Sequence, residues 1–278
     1  MSNSEQQAEK AAAFRAMHAG PGVLLLPNAW DAASARVFET AGFAAIATTS
    51  AGIAFSLGYP DGQRIPRQEM LGQIARIAGA VEVPVTADVE AGYGELPEDA
   101  AQTALEAIEA GAVGMNLEDA TNDPQRPLLE LSLQVERIHA VREAAGKSGV
   151  PLVLNARTDV FLLQVGPEEG LYDGALRRLS AFRDAGADCV FAPGLRDAAT
   201  IGRLARDLKA PLNILAGPGS LPVPELAKLG VARVSVGSGA MRATLALLRR
   251  IATELKASGT YSMMEDAISY AELNRMLG

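Results

Sequence analysis

Eight short apolar runs, each followed by a helix-like stretch and recurring about every 25 to 40 residues, predict a (β/α)8 TIM barrel. Two further observations agree. The runs are almost continuously apolar, which suits strands buried on both faces of a parallel sheet. The chain has 278 residues, close to the roughly 250 that one such barrel uses. One domain over 1–278 is therefore expected, with a helix within 1–20 and surplus helices over 240–278.

In chain order the expected strands are 22–27, 44–48, 83–87, 112–117, 150–156, 187–192, 211–216 and 231–236. Ala-rich amphipathic segments separate them, among them 97–110, 132–145 and 174–185, and Pro97-Glu98-Asp99 reads as a helix start. Three helices are expected to end at Ala41-Gly42, Ala110-Gly111 and Ala185-Gly186, where glycine can take the left-handed conformation of a helix terminus. The last strand is followed by expected helices over 241–257 and 264–277, parted by Ser258-Gly259-Thr260. The stretches 50–67 and 120–131 are long for βα loops, and long loops at the C-terminal face of a barrel form lids or binding loops. An open doubly wound sheet fits less well, since the first βα turn has no G-x-G-x-x-G.

The 33 acidic and 25 basic residues give a net charge of −8, with no basic stripe for nucleic acid. The single cysteine, Cys189, excludes an intramolecular disulfide framework and a thiolate metal cage. The first ten residues are polar, and no run approaches the roughly 18 apolar residues of a membrane span. A soluble cytoplasmic protein is expected, with neither membrane nor nucleic acid as partner.

Barrel chemistry sits where strands end. Strand two ends at Thr49-Ser50-Ala51-Gly52, strand three at Asp88-Val89-Glu90, strand four at Glu118-Asp119 and strand five at Arg157-Thr158-Asp159, while Asp61 lies in the long loop after strand two. Carboxylates converging on one mouth raise one another's pKa unless a cation neutralises them. Oxygen ligands without nearby His or Cys select Mg²⁺, or Mn²⁺, over Zn²⁺. His18 and His139 fall in helical segments, where packing is the simpler reading. A single acid at a strand end is as often a helix cap as a ligand, but Gly92-Tyr93-Gly94 separates Asp88 and Glu90 from their helix. Asp119 and Asp159 suit supporting roles equally well. Arg157, next to a buried run, needs an anionic partner: either these acids or a substrate carboxylate. Ser50-Ala51-Gly52 offers a hydroxyl and closely approachable N–H groups for a ligand oxygen.

The phrases from Leu26 to Arg36, Thr49 to Gly52, Asp61-Gly62, Asp88 to Gly94, Asn116 to Asp119 and Asn155 to Asp159 together resemble the isocitrate lyase/phosphoenolpyruvate mutase superfamily over roughly 20–250. The resemblance implies Asp88 as the direct Mg²⁺ ligand, with Asp61, Glu90 and Glu118 holding the ion through water. Ser50, Ala51 and Gly52 would bind carboxylate or enolate oxygens of a 2-oxo acid, Arg157 its anionic end, and Asn213 a carboxylate, with Ser50, Asp61 and Arg157 serving the reaction. It also implies a homo-oligomer, dimer or tetramer, since members commonly swap C-terminal helices between subunits. The lyase branch carries Lys-Lys-Cys-Gly-His on the loop after strand four, but here 120–132 has no Lys, Cys or His. Thiol-dependent isocitrate cleavage is thus disfavoured. The expected function is Mg²⁺-dependent carbon–carbon cleavage of a small 2-oxo or hydroxy dicarboxylate. Phosphonate C–P chemistry and non-catalytic binding of 2-oxo acids are the alternatives.

Overall fold

The computed structural model describes residues 3–278. Nine parallel strands form one sheet: β1 (Leu24–Leu26), β2 (Asn28–Ala29), β3 (Ile46–Thr48), β4 (Val85–Asp88), β5 (Gly114–Glu118), β6 (Val153–Arg157), β7 (Cys189–Phe191), β8 (Leu212–Leu215) and β9 (Arg233–Ser235). Their order is β1-β9-β8-β7-β6-β5-β4-β3-β2. The predicted first strand, 22–27, is β1; past Pro27, which has no N–H to give a ladder, the chain re-enters the sheet as β2, beyond the predicted bounds. The stretch before Pro27 pairs with β9 and the stretch after it with β3, so the covalent chain closes the ring. The barrel is therefore as expected, apart from this added short strand.

The helices are α1 (Asn3–Met17), α2 (Ala32–Thr40), α3 (Ser50–Ser56), α4 (Arg67–Ala80), α5 (Pro97–Glu109), α6 (Leu131–Ser148), α7 (Glu168–Asp184), α8 (Ala198–Leu208), α9 (Val223–Lys228), α10 (Gly239–Ala257) and α11 (Tyr270–Leu277). Gly42, Gly111 and Gly186 have φ of 88°, 90° and 104°, as their helix-ending role requires. Two expectations need correction. Part of the stretch read as a loop from residue 50 is α3, capped by the Thr49 side chain. The helix expected over 264–277 begins only at Tyr270, after a short 3-10 turn at Ser262–Met264.

The N-terminal helix closes one end of the barrel. Phe14 of α1 is fully buried, and a Cβ on Gly114 would lie 2.9 Å from its ring, so glycine leaves room for this plug. His18 belongs to the same plug. Its Nδ1 is 2.9 Å from the Phe14 carbonyl oxygen, and burial lowers its pKa to about 4. His139 is exposed on α6. Packing thus accounts for His18, His139 lies on a helix surface, and the functional mouth is left at the opposite end. No helix among the described residues is long and apolar enough to cross a membrane.

The helix after β9, α10, departs from the outer ring. Leu245, Leu247, Leu248 and Leu255 of α10 are exposed, as are Tyr261, Met263, Met264, Ile268 and Tyr270 beyond it. α11 returns to α2, where Arg36 Nε donates to the Met276 carbonyl at 2.7 Å.

Candidate active site

Strand ends deliver the acids. Asp88 and Glu118 are the last residues of β4 and β5, and Arg157 is the last of β6. The Thr48 hydroxyl accepts the Asp88 N–H at 2.8 Å, fixing the end of β4. Asp88 Oδ2 accepts from Ser50 N at 3.0 Å and Ser50 Oγ at 2.9 Å, whereas its Oδ1 is buried with no partner.

Glu90 holds φ of 53°, a sparsely populated conformation for a side-chain-bearing residue. This turn leaves Glu90 buried, with Oε2 accepting the Gln63 N–H at 2.6 Å and Oε1 unpartnered. Burial, then the neighbouring Asp88 and Asp61, push its pKa up to about 8. Gln63 also accepts from Tyr93 N at 2.6 Å, tying the Asp61 loop to the 88–94 turn. Arg137 of α6 supports that turn from behind, donating to the carbonyl oxygens of Ala91 and Gly94. Neither Gln63 nor Arg137 stood out in the sequence; the position of Gln63 directly after Asp61-Gly62 was the one available signal.

Arg157 is engaged by protein acids. Its Nη1 lies 2.6 Å from Glu118 Oε2, and its Nε and Nη2 donate to the two Asp159 oxygens at 2.5 and 2.8 Å. Burial opposes the guanidinium charge, but Glu118 and Asp159 outweigh it and its pKa is raised. Burial also raises Glu118, against the opposing pull of Arg157. Asp119 is buried behind this layer, accepting from Thr158 Oγ1, Asp159 N and Arg178 Nε at 2.6, 3.0 and 2.6 Å. It orders the loop that carries Asp159.

These groups form the floor of a cavity of about 690 Å³, bordered by Ser50, Asp61, Glu90, Glu118, Arg157 and Asp159. Asp61 is exposed on its loop, and partial burial, opposed by the Gly62 N–H, raises its pKa. The flap after β5 covers one side and folds back through the bridge between Ala120 and Leu128. Asp88 does not itself border the cavity but is bonded to Ser50, which does. Asn213 is fully buried in the barrel and does not line the cavity; the Ser235 hydroxyl donates to its Oδ1 at 3.4 Å. Gly52 N donates to the Thr49 cap and Ser50 N to Asp88, so Ala51 N is the donor left at liberty on α3. Among the described residues, no three His, Cys, Asp or Glu side chains are close enough to hold an ion directly between them. Cys189 is fully buried in β7, and burial pushes its thiol up to about 12.

The family model for phosphoenolpyruvate phosphomutase matches residues 14–256, spanning all nine strands and this cavity. The chain belongs to the phosphoenolpyruvate mutase/isocitrate lyase superfamily. Within it, a candidate lyase/mutase from Burkholderia cenocepacia J2315 is 44% identical, covering 97% of this chain and 96% of its own, with a TM-score of 0.91. A 2,3-dimethylmalate lyase of the same superfamily is 28% identical over 97% of this chain and 95% of its own, with a TM-score of 0.86. The 2-methylisocitrate lyase of Escherichia coli K12 is 28% identical over 92% of this chain and 88% of its own. The last two relatives are carbon–carbon lyases, and the enzyme reading from sequence agrees with them. The loop thiol expected of the lyase branch has no counterpart here, because the one cysteine, Cys189, is buried in β7.

Proposed function

We propose that this superfamily member is a Mg²⁺-dependent enzyme that breaks the carbon–carbon bond next to the keto group of a small 2-oxo acid. The observation that carries the reading is the pair of orphaned carboxylate oxygens, Asp88 Oδ1 and Glu90 Oε1, buried in a cluster that also contains Asp61 and Glu118. An unpaired buried carboxylate oxygen is costly, and a hard divalent cation is the group that relieves it. Asp88 would hold Mg²⁺, or Mn²⁺, directly, with Asp61, Glu90 and Glu118 acting through water. When bound, the ion supplies Lewis-acid stabilisation for the enolate that C–C cleavage leaves behind.

The chain's own groups orient the reactants. Ser50 clamps Asp88 from two atoms, so the free oxygen keeps one direction. Ala51 N would donate to a substrate oxygen, and Arg157, held by Asp159, would present its remaining N–H groups to an anionic end. The flap excludes water from one side of the cavity. The exposed apolar residues of α10 and the tail support a homo-oligomer in which a second copy covers them.

A Mg²⁺-dependent screen of purified protein against oxaloacetate, isocitrate, methylisocitrate and acylpyruvates tests the reading. Release of pyruvate or another short acid, lost on chelation, is expected. Binding of these acids without product from any of them would favour a non-catalytic binding protein. The matched phosphomutase model and Asn122 on the flap favour C–P chemistry as the second reading, and ³¹P NMR with phosphonopyruvate separates it from the first.

A further inference from the structure

The substrate's far end can be read from what the cavity lacks. Among the described residues, its border carries five carboxylates, Asp61, Glu90, Glu118, Asp123 and Asp159, against one cation, Arg157. That cation is already shared between Glu118 and both oxygens of Asp159. Arg126, the only basic residue of the flap, pairs instead with Glu95 and does not border the cavity. One substrate carboxylate can be balanced by the metal and by the remaining Arg157 N–H groups. A second would enter a negative field with no charge to meet it, which is unfavourable at short range.

The rest of the border is mainly apolar, with Asn122 and Gln164 among the apolar residues. The turn after β6 is held by Leu163 N to Asp159 O at 2.8 Å and Val165 N to Val160 O at 3.0 Å, and it brings Leu162, Leu163 and Val165 to the cavity. Pro124 and Pro127 of the flap face the same space. Leu162 and Leu163 are 45% and 46% exposed, so their apolar surface is uncovered without a ligand. The cavity volume, about 690 Å³, lies within the range of about 300–1,000 Å³ usual for ligands larger than a three-carbon acid.

We infer that the substrate is a 2-oxo monocarboxylate bearing an apolar alkyl or acyl group at its far end, which seats against Leu162, Leu163 and Val165. This rests on the 2-oxo acid reading above and replaces the dicarboxylate expected from the sequence.

Calorimetry of the Mg²⁺-loaded protein tests it with pyruvate, 2-oxobutyrate, 2-oxopentanoate and 2-oxohexanoate as one series. The second comparison is 2-oxoglutarate against 5-methyl-2-oxohexanoate, which has an isopropyl group in place of the far carboxylate. Affinity is expected to rise about fourfold per added methylene, and 2-oxoglutarate to bind at least about tenfold more weakly than its apolar counterpart. The Leu162→Ala/Leu163→Ala protein should flatten the series, and Leu163→Arg should reverse the preference in favour of 2-oxoglutarate. A flat series in the unaltered protein, or equal binding of the matched pair, would overturn the apolar far end while leaving the 2-oxo acid reading intact, provided that pyruvate binds. Failure of every 2-oxo acid to bind would overturn both.

Discussion

Ser50 donates to a single oxygen of Asp88 from both its backbone N and its Oγ, and leaves the other oxygen of that carboxylate buried and unmatched. The pairing works as a clamp, because two donors from one residue fix the carboxylate plane. Replacing Asp88 with Ala should abolish Mg²⁺-dependent turnover, and Ser50→Ala should lower kcat on the order of 10²-fold, as removing one preorganised donor does. Steady-state kinetics across a Mg²⁺ titration decide the matter. Full activity of the Asp88 variant would remove it from the metal site.

Gly52 is read from sequence as a residue of close ligand approach, but its own surroundings already demand glycine. A Cβ there would lie 2.4 Å from Thr49 Cγ2 and 3.2 Å from Trp30 Cβ. Thr49 cannot retreat, since its hydroxyl caps α3. Gly52→Ala should therefore cost roughly 1–3 kcal/mol, the range of core overpacking, and move Ser50 off Asp88. Urea unfolding and kcat should fall together; an unchanged unfolding midpoint would show that α3 accommodates the methyl group.

Stability at acid pH should reflect His18. Its pKa is about 4 in the folded protein against 6.5 for an ordinary histidine. Between those values the unfolded chain binds the extra proton, so stability is complete above about pH 6.5 and declines as pH falls towards 4. The loss is at most about 3 kcal/mol at 1.36 kcal/mol per unit. In urea titrations over this window, His18→Leu should show a correspondingly shallower acid decline. Parallel curves for the two proteins would contradict the assignment.

The Arg178–Asp119 pair is buried at 2.6 Å, and Arg178 Nη2 also donates to the Leu129 carbonyl at 2.6 Å. Arg178→Met leaves the Asp119 charge enclosed with less to balance it. Such broken buried pairs cost about 3–5 kcal/mol. A denaturation midpoint within error of the parent would show that the pair contributes little.

Much of the barrel is legible in the sequence, because strands buried on both faces must be apolar throughout and helix ends favour Ala-Gly. That the chain pairs again as β2 after Pro27 is not legible, since proline is also common just after a strand. Asp88, Glu90, Glu118 and Asp159 can be read because each lies at or just after a strand end. The fates of their partners cannot. That Arg157 is held by Glu118 and Asp159, or that Asn213 stays beneath the cavity, depends on barrel packing rather than spacing. The tail misleads because amphipathic spacing over 264–277 suits a helix, while Glu254 holds the turn before it by accepting from Ser262 N and Met263 N, both at 2.9 Å.

The exposed leucines of α10 give a simple solution test. Leu245→Glu with Leu248→Glu should reduce the mass measured by light scattering to that of one chain, if a second copy covers this face. An unchanged mass would place the interface elsewhere.

The seam at Pro27 also bears on how the molecule is made. The ring is completed only when Leu24 meets Arg233 and Leu26 meets Ser235, so the first strand to leave the ribosome must wait for the last. Such distant pairing is slow to form. Until then the nascent sheet has two open edges, each able to recruit a neighbouring chain. A stop codon before residue 233 would make those edges permanent, so proteins truncated there are expected in inclusion bodies.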